Sequence, residues 1–379
     1  MASSPAKRIL FKHSKHNLSM KASPSTAVQL YLGTMTFGWK GQTSSPVDQN
    51  MADQMVQRFA SNAKDDNAVL IDTARIYAGG ETEKILGNSL VKGFAGSQVK
   101  VGSKAHPRQP GGLSEKGIMN QLETSLEALG VNTLYEYYLH QPDTEHSLLE
   151  SLTCLDELMK KGIIERVGMS NYAASEMERA FLLCEEHNLS KPSVYQGLYN
   201  PLNRLVEDDL LPILKKNNCS FIAYNPLAAG LLTGKHKNNG DDVPAGRFKN
   251  NQNYLPRFYT DANFEAVDVI RKSCDIAGIS MVEATFKWLL HHSALDGSYK
   301  DGILIGASSM IQLESNIKAC DEDELLPQNV LDAFDEAWSI MSSDSDEVFK
   351  YWRSFSSDMP NRDMLDHGAS YNANKVEKK

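Results

Sequence analysis

No apolar run in this chain of 379 residues approaches the ~18 residues that a membrane-spanning helix needs. Paired cysteine motifs are missing too. The five cysteines, at 154, 184, 219, 274 and 320, are odd in number, scattered and without a CxxC. That argues against a disulfide framework or a zinc site. Cys154 and Cys184 fall among apolar residues, in LTCLDEL and AFLLCEE, so the cysteines read as buried reduced thiols. An excess of positive charge is also lacking. With 39 basic and 48 acidic residues the net charge is −9, which disfavours nucleic acid as the main partner.

Acidic residues are absent from the first 47 positions, which hold Lys7, Arg8, Lys12, Lys15, Lys21 and Lys40. Residues 1–26 are Ser/Lys-rich and without periodicity. They read either as a disordered tail or as an organelle transit peptide, and Met20 could be a later start. A secretory signal is excluded because no apolar segment follows the charges. The expected compartment is the cytoplasm, or a mitochondrion or plastid if the extension is a transit peptide.

What the chain does have is a rhythm. Apolar, β-branched or aromatic runs occur at 28–37, 68–73, 98–104, 133–139, 163–170, 193–199, 220–226 and 302–307. Helix-period segments lie between them. In GIMNQLETSLEALG, Ile118, Leu122, Leu126 and Leu129 share a face and Gly130 reads as the stop; HSLLESLTCLDELMKKG repeats the pattern and ends on Gly162. SEMERAFLLCEEHN and LVEDDLLPILKKNN supply two more, and 325–345 reads as a last helix. Eight strands alternating with helices predict an α/β fold, a (β/α)8 barrel at 27–345, with a tail at 346–379. The 82 residues between Tyr224 and Gly306 require a long insertion in the seventh unit. Its stretch 235–260 reads as a loop, of the kind that covers an active site. The end, 354–379, is polar and reads as loose.

Four strand ends carry chemistry. Asp72 and Tyr77 follow AVLI, Lys104 ends VKVGSK, His140 ends LYEYYLH, and Ser170–Asn171 end VGMSN. Asp72 to Lys104 is 32 residues, Lys104 to His140 is 36, and His140 to Ser170 is 30. Each residue alone has a plain reading: a helix cap, a solvated lysine, a core histidine, a packed tyrosine. At equivalent places in successive units they converge on the C-terminal end of the barrel, where polar strand-end residues read as catalytic. Tyrosine is a usable general acid, a lysine cation beside it favours the phenolate, a carboxylate holds the lysine charged, and a neutral histidine can orient a carbonyl oxygen. No side chain donates hydride, so a nicotinamide is the natural partner.

Together, IDTARIYAGGETEKILG, VGSKAHP, YYLHQPD, VGMSNY, YQGLYNP and AYNPLAAGLLTGKH resemble the aldo-keto reductases, and within them the aflatoxin-aldehyde and succinic-semialdehyde reductase subfamily. The resemblance runs from about residue 28 to about 345. It implies NADPH-dependent reduction of aldehydes (dialdehydes, semialdehydes, aromatic aldehydes) with Asp72, Tyr77, Lys104 and His140 as the catalytic tetrad and Tyr77 as proton donor. It implies that Ser170, Asn171 and Gln196 hold the nicotinamide carboxamide and that Tyr224 stacks on its ring. Asn225, Pro226, Leu227, Gly230, Lys235 and Arg247 match the pyrophosphate segment, and Gly306, Ser308, Gln312 and Asn316 the adenosine phosphate segment. Ser308 also reads as a helix N-cap, with Gln312 exposed in the first turn.

Two departures stand out. Many members carry Lys and Arg where Gly306 and Gln312 stand, so the preference for NADPH over NADH is a family inference here. The subfamily's LAGG is Ala228-Ala229-Gly230, where an alanine crowds the backbone or demands a different turn. Tyr254 and Arg257 match substrate-reaching positions, Arg257 reading either as a carboxylate partner or as a solvated loop arginine. Trp39 could wall the pocket or cap the barrel, and Tyr351 and Trp352 could close over it. The expected partner is a small carbonyl compound, and the subfamily resembled is often a homodimer. A cofactor-binding redox sensor of the potassium-channel β-subunit type shares fold and tetrad and is the second reading. A metal-dependent barrel hydrolase lacks a second ligand at the neighbouring strand ends.

Overall fold

Eight parallel strands close into a barrel in sequence order. They are β1 (Gln29–Gly33), β2 (Val69–Asp72), β3 (Val99–Ala105), β4 (Leu134–Leu139), β5 (Ile164–Ser170), β6 (Val194–Leu198), β7 (Ser220–Tyr224) and β8 (Gly302–Gly306). Each falls on an expected run, β3 extending one residue past its run at Ala105. The computed structural model describes residues 27–40, 47–62, 68–92, 98–237, 243, 247–249, 251, 254–321, 324–343 and 348–369. The basic extension at 1–26 and parts of the stretches 235–260 and 354–379 lie outside the described residues.

The outer ring is α1 (Gln49–Ala60), α2 (Glu81–Val91), α3 (Glu115–Leu129), α4 (Leu148–Lys160), α5 (Ala174–Glu186) and α6 (Leu210–Lys216). The long seventh connection carries α7 (Leu255–Phe258), α8 (Asp261–Ala277) and α9 (Met281–Lys287); α10 (Met310–Asp321) and α11 (Gln328–Ser342) follow. Each helix buries one stripe, as α3 does with Ile118, Leu122, Ser125 and Leu129. Ser114 caps its start by accepting from the Gly117 amide, and Gly130 ends it at φ 66°. Burial of each large aliphatic side chain in these stripes contributes about 1.5–3 kcal/mol. Within the stretch 235–260 read as a loop the insertion forms the short α7, and beyond it α8 and α9. In α8, Phe264, Val267, Ile270 and Cys274 are buried, and the helix packs against α11.

Two cores result. The larger joins the outward strand faces to the helices. A smaller one inside the barrel consists of Tyr31, Leu70, Tyr138, Val194, Ile222 and Leu304. Alternation along each strand sends Lys104 inward while Val101, Ser103 and Ala105 face the helices. Register sets the levels: Asp72 pairs with Gly102, Gly102 with Glu136, and Lys104 with Tyr138. All five cysteines are free thiols, four buried and Cys320 half-buried. Among the described residues no helix is long and apolar enough to cross a membrane.

The polar C-terminal stretch is not loose where it is described. It crosses the ends of β4, β5 and β6 as a strap. The Arg353 amide donates to Asn171 O at 3.0 Å, Ser357 N to Asp143 O at 2.9 Å, and Ser356 N to Glu176 Oε1 at 2.8 Å. Tyr351 Oη donates to Asp209 at 2.9 Å, and Arg179 pairs with Asp358 at 2.6 Å. These partners lie far away in sequence, which is why a local reading of polarity gave the wrong expectation for 354–369.

Candidate active site

Lys104 is wholly buried. Its ammonium donates to Asp72 Oδ1 at 2.5 Å and to Thr73 O at 2.7 Å. The Tyr77 ring centre lies 5.4 Å from the same nitrogen. Burial pushes the Lys104 ammonium toward lower pKa, and Asp72, then Glu136 and Glu83, work against that. The geometry is that of a cation held charged in a dry barrel by an adjacent carboxylate, next to a phenol.

Tyr77 opens the turn Tyr77–Gly80 between β2 and α2. The turn is tight: Ala78, Gly79 and Gly80 have φ of 47°, 65° and 96°. A methyl on Gly80 would lie 1.3 Å from Arg75 Nη2, so the guanidinium would have to shift. Arg75 fills that place and pairs with the buried Glu83, which also accepts from Ser103 Oγ at 2.6 Å. The turn is thus locked from beneath. Trp39 packs beside Tyr77, ring centres 6.1 Å apart.

His140 meets Tyr77 edge-on at 5.8 Å and His106 at 5.0 Å. Burial holds the His140 imidazole well below its usual pKa, and the charges of His106, Lys104 and Arg353 add to this. Burial also lowers His106, to about 4. His140 is accordingly neutral near pH 7, and its buried Nδ1 has no hydrogen-bond partner among the described residues. A neutral imidazole can donate its one ring N–H to a carbonyl oxygen.

The next strand ends interlock with these four. Gln196 Nε2 donates to Asp72 Oδ1 at 2.9 Å, so the residue expected to touch cofactor also supports the tetrad. Asn171 takes a left-handed φ of 63°, tolerated by Asn better than by most residues. Its Nδ2 donates to His140 O at 2.8 Å and Ser170 Oγ at 2.9 Å, and its Oδ1 accepts from Tyr224 Oη at 2.8 Å. Ser170, Asn171, Gln196 and Tyr224 thus form one rim.

Beyond β7 the chain turns at Asn225 (φ 53°), Ala228 (48°), Ala229 (57°) and Gly230 (114°). Two successive alanines in the left-handed region are strained; the substituted LAGG keeps the tight turn at that cost. Pro226 is buried and Leu227 half-buried beneath it. Arg247 Nη1 reaches Asn225 Oδ1 at 3.4 Å, and Lys235 is exposed at the turn's edge. At the end of β8, Gly306 is exposed, with no atom within 4 Å of a methyl placed there. Asn316 Nδ2 donates to Gly306 O at 3.2 Å. The cap of α10 differs from expectation by one residue. Ser309 Oγ, not Ser308, accepts from the Gln312 amide at 3.3 Å, and Gln312 Oε1 reaches back to the Ser308 amide and hydroxyl at 2.9 and 3.0 Å.

Arg257 is not a solvated loop residue. It is buried, its guanidinium 3.8 Å from the Phe349 ring centre and 5.9 Å from that of Tyr254. Loop and strap therefore meet at Phe349. The strap's Arg353, buried and 5.5 Å from the same ring, was not singled out in the sequence, nor was the Glu136–Arg166 pair inside the barrel.

Residues 29–339 match the model of the Aldo/keto reductase family. Human aflatoxin B1 aldehyde reductase member 2 is 35% identical over 343 residues, covering 88% of this chain and 92% of that one. Human aldo-keto reductase family 7 member A3 is 38% identical over 291 residues, covering 74% and 87%. The solved structure of a glycerol dehydrogenase from Gluconobacter oxydans superposes with a TM-score of 0.66 at 23% identity, over 86% of this chain and 96% of that one; it shares the barrel. A tyrosine, a buried lysine–aspartate pair and a neutral histidine at the C-terminal mouth, with a family match across nearly the whole barrel, make this chain a member of the aldo/keto reductase family of oxidoreductases.

Proposed function

We propose that the protein reduces aldehydes to primary alcohols with NADPH, and that Tyr77 is the proton donor. The observation that carries this reading is the wholly buried Lys104, bonded to Asp72 and facing the Tyr77 ring, with a neutral His140 alongside. The names of the relatives at 35–38% identity, aflatoxin B1 aldehyde reductases among them, support an aldehyde as the oxidised partner.

In this reading a bound nicotinamide supplies the hydride to the carbonyl carbon. The site fits such a group: a strained turn after β7, an open space at Gly306 and the amide and hydroxyl groups of Asn171 and Tyr224 all lie at the C-terminal strand ends. Ser170, Asn171 and Gln196 would hold the carboxamide and Tyr224 the ring face. Asn225 to Gly230, with Lys235 and Arg247, would hold the pyrophosphate. Gly306, Ser308, Gln312 and Asn316 would hold the adenosine phosphate at the start of α10. His140 orients the carbonyl oxygen, and Tyr77 Oη gives its proton to that oxygen as charge develops there. The Lys104 ammonium stabilises the phenolate left behind, which regains a proton from solvent. Trp39, Tyr254 and Arg257 frame the substrate, and Arg257 favours aldehydes that also carry a carboxylate.

The test is NADPH oxidation with succinic semialdehyde and 2-carboxybenzaldehyde. Turnover with both, lost by about 10²–10⁴-fold in Tyr77→Phe with cofactor binding retained, is the expected result. Tight cofactor binding with negligible turnover across an aldehyde panel would instead indicate a redox sensor.

A further inference from the structure

Inside the barrel, beneath the tetrad, lies a second set of buried polar groups. Glu136, on β4, is buried and has a donor at each oxygen. Tyr31 Oη donates to Oε1 at 3.0 Å, Arg166 Nη1 to Oε1 at 2.7 Å, and Tyr138 Oη to Oε2 at 2.6 Å. Burial raises the Glu136 carboxyl, and Arg166 with the two phenol hydroxyls works against that; three converging donors favour the ionised carboxylate. Arg166 is fixed in turn by Ser193 O at 2.6 Å and Ser220 Oγ at 2.8 Å.

Barrel interiors are ordinarily filled with branched apolar side chains, and an apolar filling is often at least as stable as a buried ion pair. Here glycines on β3, β5 and β8 leave room for the polar one. A methyl on Gly168 would stand 2.4 Å from Tyr138 Cδ1, one on Gly102 3.3 Å from Glu136 Cβ, and one on Gly302 2.8 Å from Tyr31 Cε2. Fold stability alone gives no reason for such an arrangement.

Its upper face touches the catalytic lysine. Tyr138 is the register partner of Lys104, and the Lys104 ammonium lies 5.4 Å from the Tyr138 ring centre, the same distance as from Tyr77. The ammonium is thus flanked by two phenol rings, one belonging to the reaction and one hydrogen-bonded to Glu136. Asp72 and Glu136 stand in register through Gly102. We propose that Glu136 is a positioning residue for the reaction: it fixes the Tyr138 ring against Lys104 and adds a buried negative charge next to Asp72, so that Lys104 stays an ammonium beside Tyr77 into the alkaline range.

The charged and titratable groups around Lys104 are Asp72 on β2, Tyr77 in the following turn, Glu83 on α2, and Glu136, Tyr138 and His140 on β4. Around Glu136 are Tyr31 on β1, Arg166 on β5, Tyr138 and Asp72. Removing the Glu136 charge makes proton loss easier from Lys104 and from Tyr77 alike, so both effects have one sign. The idea rests on Tyr77 being the proton donor.

The experiment compares wild type with Glu136→Gln in the pH profile of kcat/KM for aldehyde reduction. The alkaline limb should move to lower pH by about one unit. If Glu136→Gln does not fold, Glu136→Leu/Arg166→Met removes both buried charges together; its alkaline limb should move in the same direction by less, because the opposing Arg166 charge is gone too. A folded variant of either kind whose alkaline limb coincides with wild type, or moves to higher pH, overturns the proposal. Tyrosinate absorbance of the protein alone, with the Tyr77→Phe spectrum subtracted, reads the Tyr77 proton without turnover, and its midpoint should fall with the limb. Turnover retained in Tyr77→Phe would sink the proton-donor reading instead, so the two failures are distinguishable.

Discussion

Lys104 Nζ donates to Asp72 Oδ1 at 2.5 Å in a place from which water is excluded, the lysine side chain being 0% exposed. Neither charge is stable there without the other. Breaking a buried pair from one side leaves an uncompensated charge and costs about 3–5 kcal/mol, whereas removing both charges is often neutral. Asp72→Asn should therefore lower stability by about that amount and turnover by at least about 100-fold. Asp72→Asn/Lys104→Met should regain most of the stability and none of the turnover. Urea unfolding and single-turnover rates measure the two separately. A double variant less stable than Asp72→Asn would mean that the pair is primarily a fold element.

Arg257 bridges the long loop and the C-terminal strap through the Phe349 ring at 3.8 Å, so its removal has two consequences that must be separated. Arg257→Met keeps most of the bulk over Phe349 and discards the charge. KM for succinic semialdehyde should rise by about 10-fold or more, the scale of one charge-assisted hydrogen bond. KM for a neutral aldehyde of similar size should stay within about threefold. Arg257→Ala should add a loss common to both, because the stacking surface goes as well. Equal increases for charged and neutral aldehydes in Arg257→Met would remove the carboxylate argument and leave Arg257 as a clamp between loop and strap.

Much of the barrel was legible because its signals are local. Asp72, Lys104 and His140 each end an apolar run, and alternation alone sends their side chains to the same side. Gly130 and Gly162 mark helix ends by their left-handed φ of 66° and 69°. The helix Asp261–Ala277 carried equally local signals, a Thr260 cap and Gly278 at φ 68°, but they were obscured by the polar stretch before them. What could not be read locally is what depends on distant partners. Glu136 in LYEYYL resembles a solvent-facing strand residue until Arg166 and Tyr31 are brought to it. Ser308 and Ser309 are both plausible caps, and geometry alone shows that Ser309 accepts from Gln312 N. The strap is held by hydrogen bonds to residues far away in sequence, 142 positions from Tyr351 to Asp209 and 180 from Ser356 to Glu176, which no periodicity encodes.

The strap's pH response follows from two of its anchors. Glu176 accepts from the Ser356 amide at 2.8 Å, its other oxygen is buried with no partner among the described residues, and Arg179 stands 4.0 Å away. Burial raises the Glu176 carboxyl to about 7, against the lowering effect of the Ser356 hydrogen bonds and Arg179. The folded state thus holds a proton that the unfolded chain releases near ~4.3. The associated stability is complete below the unfolded value and is lost as pH rises through about 7. Asp358 has the opposite sign. Burial works against its charge, but hydrogen bonds from Arg179 and the Leu148 amide bring its carboxyl below the usual range. That contribution is present above the unfolded value near ~3.9 and is lost as pH falls through the folded one. The strap should therefore be most stable near about pH 4 and lose stability progressively as pH rises to about 7, and exchange of the Ser356 amide should be quickest above that. Glu176→Gln should flatten the alkaline side, with a gain of roughly 1–3 kcal/mol at pH 8, and leave the acid side unchanged. Because the Arg353 amide bonds to Asn171 O beside His140, turnover at pH 8 should rise in the same variant. Amide exchange that is equally fast in wild type and Glu176→Gln at pH 8 would show that the Glu176 proton does not hold the strap.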